Sequence, residues 1–152
     1  MPRSLRALSV AALTALAFPL APLAQTPQPT PQPTPQPTPQ PAPEIYFRAP
    51  VDGARVARTF AVEFGLRNYG VAPAGVRLAN TGHFHVLINV EPAAPGEIVP
   101  ADSLHRHYGA GQIETTLSLA PGTYTLRLVL ADHEHREIGP PLISRPIRIT
   151  VR

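Results

Sequence analysis

All six histidines of this chain fall in three copies of one pattern, His83-Phe84-His85, His105-Arg106-His107 and His133-Glu134-His135. In an extended strand, residues two apart project to the same face with β-carbons about 7 Å apart, a span that lets two imidazoles share one ion. Neutral imidazole is a good ligand for zinc, copper(II), nickel and iron(II), and three or four of them complete the coordination of zinc or copper. Asp102, Asp132, Glu134 and Glu114 lie near the pairs in the sequence. They are candidates for ligands or for outer acceptors that fix the ring tautomers. Cysteine is absent, which excludes a thiolate site and a disulfide framework. In an oxidising compartment without thiolates, copper or zinc is the metal expected. The same pairs also suit hydrogen-bonded imidazoles that organise loops without metal. They suit as well an anion site, or a switch whose protonated rings repel one another at about pH 6.

The elements that must position these pairs are short strands. Phe60, Val62, Phe64 and Leu66 alternate with smaller or polar residues, and Tyr124, Leu126, Leu128 and Leu130 form the cleanest alternation in the chain. Ile45-Tyr46-Phe47, His83 to Val90, Ile113 to Leu119 and Arg145 to Val151 read as further strands, with turns at Pro50-Val51-Asp52-Gly53 and Ala120-Pro121-Gly122. No stretch carries a helical period. Phe84, Val86 and Ile88 make the better core face, which sends His83 and His85 to the opposite, outward face. Continuing the outward positions of the Tyr124–Leu130 strand places His133 and His135 there too. The middle pair lies in a glycine-flanked loop, Leu104 to Gly111. The expectation is that His83, His85, His133 and His135 hold an ion and that His105 and His107 fold over it.

About seven short strands predict an all-β, immunoglobulin-like β-sandwich. Leu119-Ala120-Pro121-Gly122-Thr123-Tyr124 resembles the tyrosine corner of such domains, where a hydroxyl bonds back across a corner between strands. Ahead of the sandwich, residues 1–24 read as a secretory signal: Arg3 and Arg6 precede a short apolar run, Ala7 to Phe18, and Pro19 and Pro22 then break it. Residues 25–43 carry four copies of Thr-Pro-Gln-Pro over 26–41. That composition favours extended polyproline II and a spacer with a reach on the order of 50 Å. The folded domain is expected over residues 44–152, in a periplasmic or secreted protein with no membrane span once the signal is removed.

The formal charge is +3, and loss of Arg3 and Arg6 with the signal leaves it near +1. The other arginines are interleaved with acids and form no basic stripe, so nucleic acid is not an expected partner. The sequence has no nucleophilic cysteine, no Gly-x-Ser-x-Gly and no phosphate-binding loop. The expected partner is a metal ion, with a cell-envelope component as a further one.

Four stretches carry a resemblance to a family. They are Asn80 to Ile88, Pro100 to Gln112, Pro121 to Leu126 and Asp132 to His135. Together they resemble an uncharacterised family of small exported bacterial proteins, the domain of unknown function DUF4399. The resemblance implies an exported β-domain whose polar clusters belong together, and it brings no activity. Gly82-His83-Phe84-His85-Val86 is also similar to the Gly-x-His-x-His strand of copper-zinc superoxide dismutases, but the cysteines, bridging histidine and zinc-site spacing of that family have no counterpart. His83-x-His85 with Glu91 is similar to the first cupin motif, with the glutamate one residue late and the second half of the motif missing. Copper monooxygenases that use an N-terminal histidine are excluded by cleavage after Ala24, which leaves Gln25 first.

Three functions compete at this point. One is a module that binds copper or zinc for storage, delivery or tolerance. The second is a non-metal structural or ligand-binding sandwich at the cell envelope. The third is a copper or zinc metalloenzyme, which needs an open coordination position and a nearby acid or base.

Overall fold

A computed structural model describes residues 41–152. The expected signal at 1–24 and all but the end of the proline spacer lie outside the described residues. The fold is all-β, with no helix among the described residues, so none there is long and apolar enough to cross a membrane. Among the described residues nine strands run in order: β1 Glu44–Ala49, β2 Arg55–Val56, β3 Thr59–Arg67, β4 Gly70–Val71, β5 Thr81–Ile88, β6 His105–Tyr108, β7 Glu114–Ser118, β8 Gly122–Ala131 and β9 Ile147–Val151. They form a three-stranded sheet, β1-β3-β7, and a six-stranded one, β2-β9-β8-β5-β4 with β6 also paired to β5. The short β2 runs parallel to β9, and the central pairs are antiparallel.

Alternation builds the space between the sheets. Phe60, Val62 and Phe64 from β3 meet Phe84, Val86 and Ile88 from β5, Leu126, Leu128 and Leu130 from β8, and Ile147, Ile149 and Val151 from β9. Phe64 packs against the rings of Phe84 and Tyr108, with centroids 4.9 and 5.1 Å away. Gly122 starts β8, and the Tyr124 hydroxyl donates to the Ala120 carbonyl at 3.0 Å, which completes the tyrosine corner.

The opposite face of β5 and β8 departs from expectation. It is not open to solvent: Leu87, Val129 and Ala131 form a second apolar cluster with Val99, against which Val90 and Ile143 pack. The cover comes from segments whose proline and glycine content reads as irregular loop. Residues 142–144 run beside β8, with Leu130 and Ser144 amides donating to Leu142 and Leu128 carbonyls. Ile98 bridges to Arg136, and the Val99 amide donates to the His135 carbonyl at 2.8 Å. A strand buried on both faces costs its polar side chains their water, and here those side chains are histidines.

Replacing Tyr124 by phenylalanine removes one corner hydrogen bond and leaves the core side chains in place. The expected loss is about 1 kcal/mol of unfolding free energy in urea titration, and an unchanged midpoint would mean the corner contributes nothing.

Candidate metal centre

His83 and His85 project from β5 to the covered face, beside Leu87, and both are 0 % exposed. This corrects the outward placement expected from strand parity: the face is the right one, but it is a second interior. Gly82 precedes them because a β-carbon there would press against the Ala131 carbonyl of β8 and the Ile138 side chain.

The middle pair is not in a loop. It forms β6, antiparallel to β5, with His107 opposite His85 and His105 opposite Leu87. Cross-strand partners share a face, so His107 meets His85 directly. Its ring lies over Gly109, where a β-carbon would overlap the imidazole.

The third pair does not continue β8, which ends at Ala131. Asp132 starts a tight turn: its Oδ1 accepts the amides of Glu134 and Arg136 at 2.8 and 2.9 Å, and the His135 amide donates to the Asp132 carbonyl. His135 sits at φ 65° in the left-handed region, so the turn brings its ring back over the sheet. His133, whose carbonyl accepts the Gly75 amide, faces a different pocket, with Tyr69, Arg77 and Thr81.

Four imidazoles therefore converge from three segments. The ring of His83 lies 5.0 Å from His85, 5.0 Å from His107 and 4.9 Å from His135, and His107 lies 4.8 Å from His135. His85 and His107 are 5.0 Å apart, and His85 and His135 6.2 Å. Nε2 of His83 approaches Nε2 of His85 at 3.1 Å, and Nε2 of His107 approaches that of His135 at 3.2 Å. Ligating nitrogens of His83, His107 and His135 all fall within 4.8 Å of one another. The Nδ1 atoms of His83 and His85 are buried with no protein partner.

The converging set is thus His83, His85, His107 and His135, in place of the expected His83, His85, His133 and His135. The carboxylates also divide. Asp102 binds His105 Nδ1 at 2.9 Å. Asp132 shapes the turn and lies near enough to His83 to favour its charged form. Glu134 reaches Arg136 at the surface at 3.4 Å. Glu114 belongs to β7, in register with Glu63 in the other sheet, so its closeness to the middle pair in sequence does not bring it to the centre.

Burial, and then the neighbouring imidazoles, lower His83 from 6.5 to about 4 and His85 to about 3. His107 is lowered too, by burial and then His135. The lowered values favour the neutral form of His83, His85 and His107, the form in which imidazole ligates a metal.

The sequence profile of a family described as a domain of unknown function (DUF4399) matches residues 62–152, which span β5, β6, the Asp132 turn and all six histidines. No curated protein matches the chain, and no solved structure does.

The lowered values fix the sign of a pH effect. Unfolded histidine takes up a proton near pH 6.5, whereas folded His83 and His85 refuse it down to about 4 and about 3. Their contribution is therefore fully present above pH 6.5 and is lost on acidification through that window, at up to about 1.4 kcal/mol per pH unit for each ring. With chelator present, the melting temperature is expected to fall steadily below pH 6.5. His85→Gln should flatten the slope by about one proton; an identical slope in the variant would contradict the assignment.

Proposed function

The chain belongs to the DUF4399 family, and from that premise we propose that it is an exported module that binds one copper or zinc ion through His83, His85, His107 and His135, for storage, delivery or tolerance of the metal. The observation that carries this reading is the convergence of four imidazoles from β5, β6 and the Asp132 turn. With metal–nitrogen bonds of about 2.0–2.1 Å, tetrahedral ligands stand about 3.3–3.4 Å apart. The Nε2 pairs at 3.1 and 3.2 Å need only small adjustments to admit an ion between them. An all-imidazole set suits zinc and copper better than magnesium or calcium, which take oxygen ligands.

A holding role fits better than catalysis. His85, 3.1 Å from His83 at Nε2, would add a fourth ligand to the trio of His83, His107 and His135 and so close a tetrahedral site, whereas catalytic zinc keeps a position for water or substrate. Export to the periplasm or beyond is supported by the signal-like pattern of residues 1–24 and the proline spacer after it.

The test is metal analysis of untagged protein, followed by titration. One equivalent of copper or zinc is expected, with a rise in melting temperature. Even outer partners of a ligand carry about 10- to 100-fold of metal affinity, so His85→Ala or His107→Ala should weaken binding at least about 10-fold. His133→Ala, outside the set, should change it by less than about 3-fold. Protein that binds neither metal and melts unchanged in their presence would replace this reading with a hydrogen-bonded histidine network.

A further inference from the structure

Glu137 is 2 % exposed, and both oxygens of its carboxylate are buried without a hydrogen-bond partner. A carboxylate held that way weighs against folding unless something else in the molecule uses it. We propose that Glu137 belongs to the metal centre: its carboxylate is the counter-charge to a divalent ion held by the four histidines. The inference rests on the metal-binding reading above.

Three observations carry it. First, register puts Glu137 on the histidines' layer. Ala131 stands opposite His83 of β5 on one side and opposite Glu137 of the returning chain on the other. Cross-strand partners share a face, so His83, Ala131 and Glu137 form one row across the covered side. Strands about 4.8 Å apart put the ends of that row about 10 Å from each other at the backbone. Only the methyl group of Ala131 stands between them, which leaves both longer side chains room to lean over it. Second, the layer holds complementary groups. Among the described residues, the buried side-chain atoms without a hydrogen-bond partner are Nδ1 of His83 and of His85 and the two Glu137 oxygens. When Nε2 binds a metal, Nδ1 carries the proton and becomes a donor. The row that holds His83 then has an unmet donor at one end and unmet acceptors at the other.

The third observation is one of charge. Neutral histidines bring none, so zinc(II) or copper(II) would leave two positive charges beside the apolar cluster of Leu87, Val99, Val129 and Ala131. Buried charge is costly unless it is compensated, and a buried pair is screened far less than one at the surface. Asp132, the other carboxylate close to His83, already accepts two backbone amides. Glu137 has no such engagement. Its amide donates to the Glu97 carbonyl and its carbonyl accepts the Gly96 amide, both at 2.9 Å, which fixes the backbone and leaves the carboxylate unused. The Glu97 side chain adds a like charge nearby, not a partner.

The experiment is competitive titration of the full chain against chelators of known affinity, once with zinc(II) and once, without oxygen, with copper(I). Glu137→Gln and Glu137→Asp are compared with the parent, and apo melting temperatures are measured alongside. Glutamine keeps the shape and removes the charge. By the scale of outer-partner effects it should weaken zinc binding at least about 10-fold. Coulomb energy is proportional to the ion's charge, so the loss for copper(I) should be about 3-fold, the square root of the zinc loss. Glu137→Asp keeps the charge and should lose less than about 3-fold for zinc. The apo melting temperature of Glu137→Gln should equal or exceed the parent's, because no partner is lost. Zinc affinity that stays within about 3-fold in Glu137→Gln would overturn the role. Equal losses for the two ions would also overturn it, since a packing defect does not distinguish their charges, as would a zinc loss in Glu137→Asp as large as in Glu137→Gln. A lower apo melting temperature in Glu137→Gln would give the carboxylate a partner in the metal-free fold, with the same result. If the parent takes up neither ion, the metal-binding reading falls first, and the role of Glu137 with it.

Discussion

Two imidazoles occupy a sheet interior, and much of the structure answers to that. His83 and His85 lie on a strand whose other face supplies Phe84, Val86 and Ile88 to the main core. Their own face is closed by Leu87, Val99, Val129 and Ala131. Neutral imidazole in an apolar layer retains one donor and one acceptor, and leaving these unmet is costly. The neighbours the fold supplies are two more imidazoles. One arrives because β6 pairs with β5 in a register that sets His107 against His85, and the other because Asp132 bends the chain after β8. The segments that look irregular, around 94–104 and 132–146, follow from the same need: they roof the layer, and the second carries His135.

Much of the fold was legible in local pattern, because alternation in a strand is a local property. The inward residues of β3, β8 and β9 and the Tyr124 corner follow directly from the order of side chains. The common face of His83 and His85 follows too. What parity cannot supply is the fate of the second face, since the cover comes from stretches with no period of their own. β6 was missed for a related reason: four residues, three of them polar or charged, carry no alternation, and their strand exists only through pairing with β5. The third pair misled differently. Asp132 is a turn former two residues before Glu134, and its side chain caps the bend that separates His133 from His135. That signal was present in the sequence, but it was outweighed by the apparent continuation of β8. Glu114 shows the opposite error: it is near the middle pair along the chain, yet β6 and β7 belong to different sheets.

The centre joins parts of unequal constraint. His83 and His85 are fixed by the central strand, hydrogen-bonded on both sides. His107 stands on a four-residue edge strand, its ring accommodated by the bare backbone of Gly109. His135 depends on one turn and on the Asp132 carboxylate that closes it. Local likeness to the histidine strand of copper-zinc superoxide dismutases therefore extends only to spacing on a strand. The rest of the set is assembled here by other means.

The sequence separation of these histidines has a further consequence. His107 and His135 are 28 residues apart, and His85 lies on a third segment. An ion that bridges them ties three distant points of the chain, closing loops whose freedom the unfolded polymer would otherwise keep. Disulfides restrict the unfolded ensemble of exported domains in this way, and the loop-closure entropy they remove grows only slowly with loop length. This chain has no cysteine. Its histidines are placed where a reversible cross-link would do the same work, one that an acid medium or a competing chelator can undo.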